Sequence, residues 1–428
     1  MPPAPMPRAP PSRAREPGGD PDTMIKRLTA ACLLLVAAGA LAEEVLYELR
    51  YDLTLRPEDG RADVSLTLGE GAQHVRWMRF SIDPKRLDGF EADGQLERDG
   101  RHVTWTPPDE GGQLRFSATI DHRRGRGFDA RMTEDWALFR GDDLFPPARL
   151  LKEDFAEADA ELHVHLPEGW SFAAPFKELR ANVYEIENPE RGFDRPTGWM
   201  VAGRIGVRRE RIAGVHVTVA GPMNQGVRRM DILAFMNWNL PRLKAIADEL
   251  PDRILVVSAR DEMWRGGLSG PNSIYLHAER PLLSENGTST LLHELVHVVT
   301  RLRGRDGGDW IVEGLAEYYS LKLMWRSGTI TRRRYEAAFR QLADWAGELG
   351  VEDLHTDRAG GPVTARAVLV LRALDREIYR KTGQRESLDT VVRRLVANGE
   401  AVNLELLRST VEAVMGQPAE SLAWEVEQ

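Results

Sequence analysis

The sequence predicts an α+β protein, with a β-rich N-terminal domain over 43–210, a mixed domain over 211–328 and a helical C-terminal domain over 329–428, behind a leader at 1–42. Three observations predict it. Tyr47, Leu49, Tyr51, Leu53 and Leu55 interleave with Glu48, Arg50, Asp52 and Thr54, the period-two pattern of a half-buried strand. From Met230 to Leu250 the apolar spacing turns helical, and an apolar strand follows at Arg253–Ser258. Two apolar helices at about 288–302 and 309–325 come next, and three or more amphipathic helices fill the chain from Arg332 onward.

The leader carries Met24-Ile25-Lys26-Arg27, an apolar run from Leu28 to Ala38 and Ala40-Leu41-Ala42 before Glu43. These are the charged, apolar and small-residue regions of a secretory signal peptide at 24–42, so an exported chain, periplasmic or secreted, is expected to begin near Glu43. The run is shorter than the ~20 residues that span a bilayer, and no other stretch qualifies, so no membrane span is expected after signal removal. Residues 1–23, rich in proline and arginine, add nothing such a signal needs, and Met24 is the expected start. Cys32 is the only cysteine and lies in the signal, which excludes disulfides, cysteine-ligated zinc and cysteine nucleophiles from the mature chain. The net charge of -9 arises without a basic stripe, so no nucleic-acid partner is expected.

Along the mature chain, Val64, Leu66 and Leu68 repeat the alternation after the Asp59-Gly60 turn, and Leu162-Val164-Leu166 and Val215-Val217-Val219 continue it. After Arg253–Ser258 comes a glycine-rich stretch, MWRGGLSGPNSIYL, at 263–276. The loop RGRDGGD at 303–309 links the two apolar helices, with Asp309 an expected N-cap of the second.

The first of those helices reads LLHELVHVV. On a helix, His293 and His297 lie one turn apart on one face, so both can turn a ring nitrogen to one ion. Glu294 sits about 100° round, close enough to hold a water on that ion without being a ligand. Leu291, Leu292, Leu295, Val296, Val298 and Val299 make the helix apolar nearly all round, where two histidines and a carboxylate are costly to desolvate unless a charged partner joins them. Zinc needs a third protein ligand and an open position. Glu313 in DWIVEGLAEYYS, fifteen residues beyond His297, supplies it from a helix that a short loop folds back. Gly314 is expected to let these two helices approach. Glu317, one turn on, is placed either to accept the other N–H of a ligand histidine or to sit solvated on the surface.

His293-Glu294-Leu295-Val296-His297 followed by Trp310-Ile311-Val312-Glu313-Gly314 resembles the gluzincin metallopeptidases, whose third zinc ligand is the glutamate of a Trp-x-x-Glu-Gly motif. The short spacing is most like the peptidase-MA-like group, and residues 368–395 resemble the helical region of the glycyl aminopeptidase family. The resemblance covers about 210–420 and implies a thermolysin-like zincin catalytic domain at 211–328, one Zn2+ per chain and a peptide or protein substrate. It also implies that Gly266, Gly267, Leu268 and Ser269 bind substrate. Two positions depart from the family. Ser269 stands where those exopeptidases carry a glutamate for the substrate's free amine, so an ammonium loses its charge-assisted partner. Val363 and Thr364 stand where the family has a tyrosine for the oxyanion, with Arg366 near its lysine position. Tyr275, His355, Arg366 and Tyr379 are the alternative donors to an oxyanion, each more readily structural.

Elsewhere, His163 and His165 are expected to form the polar face of a strand, and Asn286-Gly287-Thr288 a turn into the first zinc helix. Trp264, Trp310, Trp325 and Trp345 are expected as packing anchors, and Tyr318 and Tyr319, adjacent on a helix, cannot both face a metal. The expectation is an exported zinc metallopeptidase that hydrolyses peptide bonds with a zinc-activated water and Glu294 as general base. The alternative is a catalytically silent zincin-fold module for binding or assembly in the cell envelope.

Overall fold

The computed structural model describes residues 45–188, 192–348, 354–356 and 358–423. The expected signal at 24–42, with Cys32, lies outside them. The alternation at the start of the mature chain becomes β1 (Val45–Arg56) and β2 (Arg61–Leu68), paired antiparallel with Leu49 opposite Leu68 and Leu53 opposite Val64. Inward residues are buried and their neighbours face out, as a half-solvated sheet requires. Gly60 closes the turn at φ +67°, a conformation that costs a side-chained residue more than glycine. β2 also pairs with β3 (Gly112–Thr119), and this seven-stranded sheet joins five- and four-stranded sheets to make the described part of 45–203 β-rich. β4 (Trp136–Arg140), β5 (Ala156–His165) and β6 (Trp199–Gly203) belong to it.

The mixed architecture begins at Ile205. β7 (Ile205–Ile212) and β8 (Val215–Pro222) form an antiparallel hairpin; β8 runs parallel to β9 (Arg253–Val257), and β9 runs parallel to a strand at Ser273–Leu276. The short strand β10 (Gly267–Gly270) pairs antiparallel with that last strand, β11, and lies at the edge of the five-stranded sheet. β9 is apolar on both faces because both are covered. Ile254 and Val256 join the helical core, whereas Leu255 and Val257 pack with Trp136, Leu138, Trp199 and Val201 of the β-rich part.

Helix α1 (Arg229–Asn239) crosses between β8 and β9 and tightens into a 3-10 turn at Leu240–Ala245, where Pro241 removes an N–H donor. The helices expected at about 288–302 and 309–325 are α2 (Thr290–Thr300) and α3 (Asp309–Arg326). Four further helices follow: α4 (Arg332–Glu348), α5 (Pro362–Lys381), α6 (Leu388–Asn398) and α7 (Leu404–Met415). α2 starts at Ser289, whose hydroxyl accepts the Leu292 N–H. Its Leu291, Leu292, Leu295 and Val296 are buried, each contributing roughly 1.5–3 kcal/mol.

Two expectations about α3 are corrected. Asp309 is its first helical residue and not its N-cap; its carboxylate accepts the Ala359 N–H and ties in the strand-like approach to α5. Gly314 brings α3 close to α5 and not to α2, since a Cβ there would lie 2.7 Å from the Ala367 side chain and 2.9 Å from Leu371. The tryptophan expectation also divides. Trp310 is buried, but Trp325 and Trp345 are 42% and 44% exposed, Trp325 lying flat on Tyr335. No helix among the described residues is long and apolar enough to cross a membrane.

Candidate metal centre

α2 and α3 run side by side and place four side chains on their shared seam. His293 Nε2 lies 3.2 Å from His297 Nε2 and 3.2 Å from a Glu313 carboxylate oxygen, and His297 Nε2 lies 3.5 Å from the other Glu313 oxygen. Among the described residues this trio alone brings three ligand atoms together, all within 4.8 Å of one another. An ion with ligand atoms at about 2.0–2.2 Å holds neighbouring ligands about 3.3–3.6 Å apart in a tetrahedron, so these spacings suit one face of such a shell. The fit extends to protonation. His293 Nδ1 lies 3.0 Å from a Glu317 oxygen, which fixes the proton on that nitrogen in the neutral ring and leaves Nε2 free to donate its lone pair. Glu317 is therefore an inward, half-buried partner of His293 and not a solvated surface glutamate.

The electrostatics of the bare cluster show the same demand for positive charge. Burial disfavours a charged His293, yet hydrogen bonds to Glu313 and Glu317 outweigh it and push the imidazole up to about 10. For Glu313, burial acts upward, but the two histidines hold its carboxyl far below the usual range. Two carboxylates around two rings thus favour positive charge at this seam, which a dication would supply to the same donors. Two imidazoles and a carboxylate are a donor set that zinc takes.

Glu294, the next residue round α2 from His293, reaches toward the sheet edge. Its Oε2 accepts the Ser269 main-chain N–H at 2.8 Å, so the carboxylate is fixed between α2 and β10. Of the predicted substrate-binding residues, Gly267 meets α2 directly: a Cβ there would lie 2.5 Å from the Thr290 methyl and 3.3 Å from Glu294 Cγ. Leu268 faces away from α2 and packs with Trp199 and Tyr275. A Cβ on Gly266 would strike the Trp264 ring, which that glycine accommodates. The strand therefore lies flat along the metal helix with one edge unpaired in the sheet.

The structure removes Tyr275 from the oxyanion alternatives, because it is buried on the opposite sheet face and its hydroxyl donates to the Trp264 carbonyl. Tyr379 lies near the far end of α5 and donates to Gln384, and His355 packs against Gly307. Arg366 is exposed in the first turns of α5, with Val363 and Thr364 half-buried beside it. Elsewhere, His163 is hydrogen-bonded to Glu161 and His165 to Asp52, so the two rings serve separate carboxylates.

Two features escaped the sequence reading. Arg301, one turn past His297, donates to Asn272 at the β10–β11 turn and closes that end of the strand against α2. Lys322, 4% exposed on α3, sits between Asp375 of α5 and Asp389 of α6; Asp375 also accepts the Tyr318 hydroxyl, and Asp389 the Tyr319 hydroxyl and Arg326. A lysine within the apolar run SLKLMW was the available signal, since a buried ammonium needs a partner.

No family model matches the chain, and no curated protein matches it in sequence. Solved structures do match it. An aminopeptidase N family protein from Idiomarina loihiensis superposes with a TM-score of 0.61 at 14% identity, over 87% of this chain and 76% of that one. The M1 zinc metallopeptidase of Deinococcus radiodurans gives 0.54 at 18% identity, over 88% and 91%. A variant of it bound to a Tyr-Ser-Ala substrate gives 0.54 at 17% identity over the same shares. With a β-rich N-terminal part, a His-His-Glu cluster that could hold a metal between two helices beside a sheet edge, and a helical C-terminal part, this chain has an α+β fold similar to that of solved M1 zinc metallopeptidases.

Proposed function

We propose that this chain is an exported zinc peptidase, with His293, His297 and Glu313 holding one zinc ion. The observation that carries the reading is the convergence of those three ligand atoms beside a carboxylate, Glu294, that bridges to an open strand edge. Bound zinc would supply Lewis acidity, polarising the scissile carbonyl and easing deprotonation of water. The chain's own residues do the rest. Within Gly266 to Ser269, the main-chain groups of β10's open edge that Glu294 does not take are offered to an extended peptide as an added strand. Glu294, fixed by the Ser269 N–H, takes the proton of the attacking water and hands it to the leaving amine. Glu317 orients the His293 ring through Nδ1.

The finer likeness to the glycyl aminopeptidase family rests on residues 368–395, while Ser269 offers no carboxylate for a free amine, which favours substrates that do not depend on one. The structurally similar Deinococcus radiodurans enzyme, solved with a Tyr-Ser-Ala substrate bound, supports a short peptide as the ligand. Metal analysis of purified protein tests the site, with about one zinc per chain expected. Less than a tenth of a zinc per chain, unchanged on adding zinc, would sink it. Glu294→Gln then tests turnover on a peptide library: loss of roughly 10²–10⁴-fold in rate with zinc content unchanged is expected. Equal background in both proteins would instead leave a zinc-binding envelope module.

A further inference from the structure

The mixed sheet carries an unexpected row of basic side chains on the face away from α2. Arg211 on β7 stands opposite His216 on β8, and His216 stands beside Arg253 on β9. Arg209, two residues along β7, is opposite Thr218. Like charges on adjacent strands of one face are destabilising, and sequences ordinarily set an acid between them. Here none does. Among the described residues Arg209, Arg211 and Arg253 form no ion pair; Arg211 donates to the Gly214 carbonyl and Arg253 to the Phe176 carbonyl. Glu178 and Glu210 lie beside them without an ion pair to any of the three. Glu178 accepts the Asn182 N–H, and Glu210 sits opposite Val217, whose side chain belongs to the helical core on the other face.

These residues line a cleft of about 480 Å³, walled on the far side by the segment Phe172–Glu178 and by Tyr184. Phe172 and Tyr184 meet edge to face at 5.6 Å, giving the cleft an aromatic end beside its basic one. A volume of this size falls within the ~300–1,000 Å³ typical of small-molecule sites. Lys177, also at the rim, is already paired with Glu185 at 2.7 Å. Among the described residues the three arginines thus lack a carboxylate partner, Arg209 and Arg211 exposed and Arg253 half-buried, and guanidinium groups match phosphoryl oxygens two at a time.

We propose that this cleft is an anion site, distinct from the metal centre, for a small molecule carrying a phosphate-monoester head on a flat ring. The head lies against Arg209, Arg211 and Arg253, and the ring lies toward Phe172, Phe176 and Tyr184. The sheet separates it from α2, since Val217, Ile254 and Val256 of the same strands turn their side chains to the helices. The ligand of this cleft is thus an effector or anchor and not a substrate.

Titration calorimetry on the zinc-loaded full chain tests this, with phenyl phosphate as the probe at fixed ionic strength. One saturable site per chain is expected, with inorganic phosphate binding more weakly and phthalate separating phosphoryl from carboxylate preference. The Arg211→Ala, Arg253→Ala double variant is expected to weaken phenyl phosphate at least tenfold while zinc content and peptidase rate stay unchanged. Arg209→Gln, a single change at an exposed side chain, gives the same reading should the double variant fold poorly. No saturable binding to the wild-type chain overturns the proposal, as does undiminished affinity in the variants.

Discussion

At the residue scale, the clustering of His293 with His297 was legible because a helix repeats every 3.6 residues, so the two had to share a face. Glu313 was legible from its motif. The direction of Glu317 was not, because whether a glutamate one turn further on points inward depends on how α3 packs, which is a tertiary property. Its 3.0 Å contact with His293 Nδ1 predicts that Glu317→Ala weakens zinc binding about 10–100-fold. Competition with a chelator of known affinity measures this, and an unchanged zinc affinity would show that the contact does not orient the ring. Asp309 and Tyr275 show the limit of local reading. A capping residue type was present at the helix start, but the loop delivered Gly308 to the cap, and strand alternation turned the tyrosine to the wrong sheet face.

At the scale of elements, the helices and the early hairpin were legible from apolar periodicity, whereas the partners of each face were not. Gly314 is the clearest case. The sequence marked a close approach, but the helix that approaches is α5, some fifty residues further on. Gly314→Val, placing carbon where Ala367 lies 2.7 Å away, is expected to destabilise by about 1–3 kcal/mol, read as a lower denaturant midpoint with unchanged slope. A midpoint equal to wild type would mean that α5 can move aside at no cost.

The Lys322 network joins α3, α5 and α6 in the same way and is sensitive to acid. Burial acts to raise the Asp389 carboxyl, but Lys322 and Arg326 outweigh it and hold it below the usual range. A carboxyl lowered by folding contributes stability that is complete above its unfolded value of about 3.9 and fades as pH falls through that value toward the folded one. With Tyr319 and Asp375 as its other titratable neighbours, Asp389→Asn is expected to lower stability at pH 7 and to flatten the decline of the unfolding midpoint between about pH 5 and 3. Parallel pH profiles for variant and wild type would exclude this role.

At the scale of the whole molecule, the order of parts was legible: β-rich first, then mixed, then helical. The composition of the mixed sheet was less so, because β7 looks like any other alternating strand and only its pairing with β8 assigns it. The cleft between that sheet and the segment at 172–184 had no sequence signature, since its arginines come from strands more than forty residues apart. Export is a property of the chain as synthesised. Expressed from its own start in a bacterial host, the protein is expected in the periplasmic fraction with a new N-terminus near Glu43. Recovery from the cytoplasm with residues 24–42 intact would exclude the signal.

The hydrogen bond between Glu294 and the Ser269 amide has one more consequence. In the proposed function, the strand that would receive a peptide and the carboxylate that would accept a proton are fastened to each other by one hydrogen bond. A chain settling along β10 would then pull on its own proton acceptor, and a poorly seated one would leave that acceptor askew. In such an arrangement the quality of docking is transmitted to the rate of bond cleavage through a single backbone amide, with no moving lid required.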